Sequence, residues 1–180
     1  SGTVSLSTAA ARIDGESGSD RFGNSVAGAG DVDGDGNTDL LVGAPQYGDA
    51  NRGRAYLMAG PLSGVSEAGD FLGVFGGSAA HDRLGTAVAA PGDVDGDGLA
   101  DLLIGAYGDD TGGNSAGAAF LFLGPATGAP DAHASLYGEE DASRAGLVVS
   151  EAGDVDGDGL ADLLIGADRS GDGNAGAAYV

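Results

Sequence analysis

The chain has no cysteine, no tryptophan and no lysine, and a single methionine. Without cysteine there is neither a disulfide framework nor a thiolate zinc site, and the redox compartment is left open. Its cationic side chains are seven arginines against 28 acidic residues, a formal net charge of −21. Phosphate recognition needs basic clusters, so a nucleic-acid partner is excluded. The same charge opposes docking on an anionic membrane surface. No run of about 18 apolar residues is present, so no membrane insertion is expected. The stretch Ser1–Asp14 lacks the charged-then-apolar pattern of a secretory signal, so a mature form or an excised segment is expected.

What is present is aspartate, glycine and short apolar runs. Only five of the 28 acids are glutamate, which leaves 23 aspartates. Aspartate is poor inside helices and belongs to turns and hard-cation sites. The 37 glycines have no every-third-residue period, and a 42% hydrophobic content is too high for a disordered chain. A length of 180 residues suits one domain with a sizeable core.

Self-similarity organises the sequence. "DVDGDGNTDLLVGAP" at Asp31 returns as "DVDGDGLADLLIGAY" at Asp93 and "DVDGDGLADLLIGAD" at Asp154, at intervals of 62 and 61 residues. The flanks repeat as well. "SDRFGNSVAGAGD" (19–31) answers to "HDRLGTAVAAPGD" (81–93) and to "ASRAGLVVSEAGD" (142–154). "GRAYLMAGPLSG" (53–64) answers to "GAAFLFLGPATG" (117–128), with "GAAYV" (176–180) beginning it again. "FLGVFGG" (71–77) is echoed by "SLYGEE" (135–140) and "ARIDGE" (11–16). Each unit thus holds four strand candidates, in the first copy Asn24–Ala29, Leu40–Ala44, Arg54–Ala59 and Asp70–Phe75. No segment carries a capped 3.6-residue period, so no helix is expected. The fold class predicted is all-β: propeller blades of four antiparallel strands, three repeats of about 61 residues. The units run approximately over 1–62, 63–126 and 127–180 within one module, 1–180.

The acidic stretches have a cation-binding spacing. Aspartates stand at loop positions 1, 3, 5 and 9: Asp31, Asp33, Asp35 and Asp39; Asp93, Asp95, Asp97 and Asp101; Asp154, Asp156, Asp158 and Asp162. Position 6 is glycine for a tight turn, and position 7 (Asn37, Leu99, Leu160) would offer its main-chain carbonyl. Hard oxygens on alternate residues wrap one Ca²⁺ at about 2.3–2.6 Å, and such crowded carboxylates repel without a cation. An EF-hand would place a bidentate glutamate at position 12, on a helix. Here that position is Val42, Ile104 or Ile165, within a strand, so the ion would close a hairpin. Three Ca²⁺ per chain are expected. The competing reading, hairpin turns with solvated acids, explains one copy better than three.

The chain resembles the FG-GAP repeats of integrin alpha-chain β-propellers and their bacterial relatives. The two motifs stand as Phe22-Gly23 and Gly43-Ala44-Pro45, then as Leu84-Gly85 and "GAY" (105–107), then as Ala145-Gly146 and "GAD" (166–168). The third copy has lost the aromatic, and only the first keeps the proline. The resemblance implies a propeller with Ca²⁺ in the hairpins between first and second strands, and a non-catalytic binding or adhesion role outside the cell. The integrin ring has seven blades, against three repeats here.

By alignment with the repeats, Ser1-Gly2 matches Ser63-Gly64 and Val180 matches Leu57, so the chain runs from the fourth strand of a blade to a third. The expectation is that two chains join head to tail into a six-bladed ring, a homo-oligomer that hides its sheet edges; a segment of a longer propeller is the alternative. Strand alternation puts the loops 45–52, 107–116 and 168–175 opposite the acidic loops, with Tyr47, Tyr107 and Arg52 as recognition candidates for an extracellular protein or glycan. Asp20 and Asp82, before Arg21 and Arg83, read as turn or surface pairs. "GNSAG" (113–117) has the nucleophile-elbow pattern around Ser115, but it leads into a strand candidate where that motif needs a helix. "GDGNAG" (171–176) fails as a dinucleotide loop for the same reason. His81 and His133 are loop residues. The expected function is a calcium-stabilised, non-catalytic recognition module; the alternatives are a purely structural or engineered propeller, or an appendage of a larger extracellular enzyme.

Overall fold

The structure, a computed structural model, describes residues 5–66 and 71–180. The predicted strand start at Asp70 and the Ser1-Gly2 equivalence lie outside the described residues. A 3₁₀ turn (Leu6–Thr8) leads to β1 (Ala11–Ile13). The first repeat forms β2 (Ser25–Gly30), β3 (Asp39–Ala44), β4 (Arg54–Met58), the short β5 (Gly64–Ser66) and β6 (Gly73–Gly76). The second forms β7 (Ala87–Gly92), β8 (Asp101–Ala106), β9 (Ala118–Phe122) and β10 (Ala134–Tyr137); the third forms β11 (Ala145–Gly153), β12 (Asp162–Ala167) and β13 (Ala177–Tyr179). Among the described residues there is no α-helix; a second 3₁₀ turn covers Asp49–Asn51.

The architecture is that of β-propeller blades. Two antiparallel sheets of four strands, β2-β3-β4-β6 and β7-β8-β9-β10, are followed by a third of three, β11-β12-β13. The predicted strands agree within a residue or so, except that β6 begins at Gly73, where its register opposite Leu57 starts.

One pairing was not anticipated. Strand β1 runs parallel to β5, with Ala11 opposite Gly64. The same contact recurs one repeat later, where Val74 N donates to Gly128 O (2.6 Å) and Gly128 N to Leu72 O (2.7 Å). An outer strand therefore also touches the third connection of the following blade. Strand β1 holds the outer-strand place of a blade preceding the first, which is why "ARIDGE" echoes "FLGVFGG".

The apolar core lies between blades. Leu41, Leu57 and Phe75 of the first repeat pack with Leu84, Val88, Leu102, Ile104 and Phe122 of the second. Ala89, Leu103 and Ala119 pack with Val149 and Ile165 of the third. The two motifs of the repeat meet across this seam. A Cβ added to Gly43 would stand 2.0 Å from Gly85 O, and one added to Gly105 would stand 2.0 Å from Gly146 O. The glycine of one repeat's "GA" thus admits the backbone of the next repeat's "FG", whose own glycines take φ of 83° and 76°. Leu84 and Ala145, in the aromatic's place, are both buried at the seam.

Candidate metal centres

Each acidic loop joins the first and second strands of a blade, and its fold follows from the aspartate at position 1. In the first loop Asp31 Oδ1 accepts from Gly34 N (2.8 Å) and Oδ2 from Gly36 N (2.9 Å). Asp93 does the same with Gly96 and Gly98, and Asp154 with Gly157 and Gly159, all at 2.7–3.0 Å. These N–H groups point inward because Gly34 and Gly36 adopt φ of 80° and 87°, which L side chains rarely reach. One carboxylate therefore winds the loop around itself.

Position 9 anchors the loop to the blade. Asp39 and Asp101 are 1% and 0% exposed. Their Oδ2 atoms accept from Val32 N (3.0 Å) and Val94 N (2.7 Å), and their Oδ1 atoms from Gly60 N (3.0 Å) and Gly124 N (2.9 Å) on the third connection. Asp162 keeps the first bond, from Val155 N at 2.7 Å, and is less buried. Burial pushes the Asp101 carboxyl above the ordinary carboxylate range; the N–H groups of Val94 and Gly124 oppose this, and the charges of Asp95 and Asp97 add to it.

Positions 1, 3 and 9 converge. Oxygens of Asp31, Asp33 and Asp39 lie within 4.8 Å of one another, as do those of Asp93, Asp95 and Asp101 and those of Asp154, Asp156 and Asp162. Two oxygens sharing one Ca²⁺ lie at most about 5 Å apart, so these groups have the span of a cation site. No arginine among the described residues forms a salt bridge to any of them. The position-5 carboxylates stand outside the three groups and accept from the next-but-one N–H, Asn37 (2.7 Å), Leu99 (2.8 Å) and Leu160 (2.8 Å).

Position 7 has a second use that its varied side chains did not reveal. Leu99 Cδ2 would be 3.3 Å from a Cβ on Gly34, and Leu160 Cδ2 equally close to one on Gly96, so each leucine covers the preceding loop. Ala100 N donates to Asp31 O (3.0 Å) and Ala161 N to Asp93 O (3.1 Å). The three loops are linked in series across the blades.

On the opposite face the recognition candidates divide. Tyr47 lies beneath the Arg54 guanidinium, 3.6 Å from ring centroid to Cζ, while Arg54 and the Tyr56 hydroxyl share Glu16 (3.0 and 3.2 Å). Tyr47 is therefore packed into the scaffold. Arg52 is exposed beside the 3₁₀ turn. Tyr107 accepts from Arg83 and lines an interblade cavity. Asp20 and Asp82, expected in turn or surface pairs, are buried rather than at the surface, 7% and 3% exposed. Asp82 Oδ2 accepts from Ala79 N (2.6 Å) and Ser78 Oγ (3.1 Å), a turn-closing role that its neighbour Arg83 does not share. Ser115 precedes strand β9, and 171–176 precedes β13, so neither motif opens a helix.

The FG-GAP repeat family matches residues 22–58, 84–122 and 150–180. Integrin alpha-IIb of Homo sapiens is 36% identical over 166 residues, covering 87% of this chain and 16% of the relative. Integrin alpha-X of Homo sapiens is 37% identical over 155 residues, 81% of this chain and 13% of the relative; integrin alpha-5 of Xenopus laevis is 41% identical over 93 residues, 51% and 9%. The chain thus spans a sixth or less of the relatives it matches. With both motifs meeting across each seam and an acidic hairpin in every blade, the chain belongs to the FG-GAP repeat family and is similar to a part of integrin alpha chains.

Proposed function

We propose that this chain is a calcium-stabilised propeller module for recognition outside the cell, with no catalysis of its own. The observation that carries the reading is the threefold recurrence of a carboxylate group with the span of one hard cation and no arginine to neutralise it. Asp31, Asp33 and Asp39 and their equivalents would hold each ion, with Asp35, Asp97 and Asp158 and the main chain of Asn37, Leu99 and Leu160 completing the set. When bound, Ca²⁺ supplies charge compensation and a crosslink between hairpin arms; three ions change the net charge from −21 to −15. The ligand would be an extracellular protein or glycan, met by the loops opposite the acidic hairpins. No helix among the described residues is long and apolar enough to cross a membrane.

Thermal melting with millimolar Ca²⁺ and then with chelator tests the reading. Saturation at about 100 times Kd stabilises by about 2.7 kcal/mol per site. Three sites should raise Tm by about 15–30 °C, given about 2–4 °C per kcal/mol at this chain length. An unchanged melt would reduce the loops to acidic turns.

We further propose that two chains close one ring. Strand β13 has no partner beyond β12 among the described residues, and β1 is an outer strand without the inner strands of its blade. A reciprocal exchange, β1 of each chain against β13 of the other, would complete both blades.

A further inference from the structure

The three repeats place an arginine at the same point of the same turn. Arg21, Arg83 and Arg144 follow a buried Asp20, Asp82 or Ser143, and each adopts φ of 57°. With one backbone conformation, the three side chains leave the turn alike, toward the loop after the blade's second strand. In the third repeat this loop supplies Asp168, to which Arg144 donates twice, Nε to Oδ1 at 2.9 Å and Nη2 to Oδ2 at 2.5 Å. The guanidinium holds that carboxyl below its usual range. The equivalent residues in the first and second repeats are Pro45 and Tyr107. Neither is an acid, and neither Arg21 nor Arg83 forms a salt bridge among the described residues, in a chain where acids outnumber arginines four to one.

Arg21 and Arg83 line one cavity of about 180 Å³ between the first two blades, with Asn24, Gln46, Thr86 and Tyr107; no acid lines it. Two arginines and no acid on its wall give the cavity a positive bias, and an anion there would be attracted to it. Hydrogen bonds cross its floor: Asn24 Nδ2 donates to Thr86 O (3.3 Å), and Thr86 Oγ1 to Arg83 O (2.7 Å). Antiparallel strand order puts this cavity at the blade ends away from the acidic hairpins, since its loop residues connect second to third strands.

We propose that this cavity binds a carboxylate side chain, an aspartate or glutamate borne on a partner protein. The third repeat shows the arrangement completed internally, with a loop-borne aspartate as the acceptor. In the first two repeats no acid stands there: Arg83 donates only to the neutral Tyr107 hydroxyl, and an incoming carboxylate would supply the charged acceptor. A bidentate guanidinium–carboxylate pair is directional and charge-assisted, so a pair of arginines can select an acid despite the chain's overall negative charge. At physiological ionic strength the Debye length is about 8 Å, which screens most distant aspartates from the site. The proposal rests on the recognition reading above and names the chemistry that one loop face would recognise.

The test is titration of the Ca²⁺-saturated chain, at about 0.15 M salt, with an acetylated, amidated peptide carrying one aspartate and with its asparagine counterpart. The aspartate peptide should bind, and the asparagine peptide should be at least about tenfold weaker. Arg21→Gln and Arg83→Gln should each weaken binding about tenfold, and Arg169→Gln, at an exposed arginine elsewhere, should leave it unchanged. Tyr107→Asp recreates the third repeat's acceptor and should compete for Arg83, weakening peptide binding while raising Tm. Equal affinity for both peptides, indifference to the two arginine variants, or no binding at millimolar peptide would overturn the proposal. Binding of glucuronate but not of the aspartate peptide would overturn the protein partner. Circular dichroism of each variant separates loss of fold from loss of site. A calcium-independent melt with peptide binding retained would remove the calcium role alone; a calcium-dependent melt with no binding would remove the arginine site alone.

Discussion

Two kinds of aspartate share each acidic loop, and substitution separates them. Asp95 is exposed and accepts one hydrogen bond, from Asp97 N at 3.1 Å. Asp101 is wholly buried and satisfies two backbone N–H groups on different segments. Asp95→Asn should leave the melting temperature in chelator within about 1–2 °C of the parent while removing much of the calcium shift. Asp101→Ala should cost about 2 kcal/mol even in chelator, because the half-buried N–H groups of Val94 and Gly124 lose their acceptor. Calcium-dependent melting of the two variants distinguishes a ligand from an anchor. The same carboxyl sets a pH dependence. Its folded pKa is raised by burial, so without metal the folded chain holds a proton that the unfolded chain has released. Stability in chelator should therefore fall as pH rises from about 4, the unfolded value, through the raised folded one, and stay level above it. With Ca²⁺ the trend should reverse, since ligand carboxylates must be ionised to bind. Asp101→Asn in chelator should lack the fall.

At the scale of elements, the seam between blades governs stability. Gly105 sits where Gly146 O approaches to within 2.0 Å of any added Cβ, and that atom is backbone that cannot swing aside. Gly105→Ala should destabilise by about 2–3 kcal/mol or more, read as a fall in Tm of roughly 5–10 °C with secondary structure retained. Gly36→Ala, with open space around the Cβ position but a φ of 87°, tests conformational strain alone. Much of this scale was legible in advance. Strand positions, antiparallel order and the partition of loops between faces follow from the repeat and from apolar runs bounded by glycine and aspartate. The convergence of positions 1, 3 and 9 follows from spacing. What was not legible depends on neighbours distant in sequence. The parallel contact of β1 with β5 joins residues 53 positions apart, Ala11 with Gly64, and leaves no local signature. Burial of Asp20 and Asp82 is decided by the adjoining turn, which a polar stretch of sequence does not reveal. Position 5 stands outside the carboxylate group although it makes the same bond to the N–H two residues on as position 3, so spacing alone does not separate the two. The arginine turn is visible as a repeated letter, but its φ of 57° in all three copies and the acid that meets it in the third alone depend on how the loops fold.

For the whole molecule, identical sequences in unlike surroundings show where contacts end. "DLLIGA" occurs twice: β8 is buried at every residue, whereas β12 is buried at only two of six. Val26 is 64% exposed, while its equivalents Val88 and Val149 are 8% and 7% exposed. The first blade thus bares the face that its successors cover, and the third bares the face that its predecessors cover. In the proposed two-chain ring these two surfaces would stack as one repeat stacks on the next, the rule in arrays whose units bury apolar faces only against neighbours. A second copy placed head to tail would bring Val26 against the bared face of β12 and pair β1 with β13, two seams per ring. Sedimentation at micromolar chain concentration in Ca²⁺ should therefore show a dimer. Val26→Asp, a charge at a buried seam, should shift the equilibrium to monomer by at least about tenfold in dimer affinity without altering the calcium-dependent melt of the blades. A compact parent monomer under these conditions would refute ring closure by two chains and leave the blades, their hairpins and the arginine cavity as they stand.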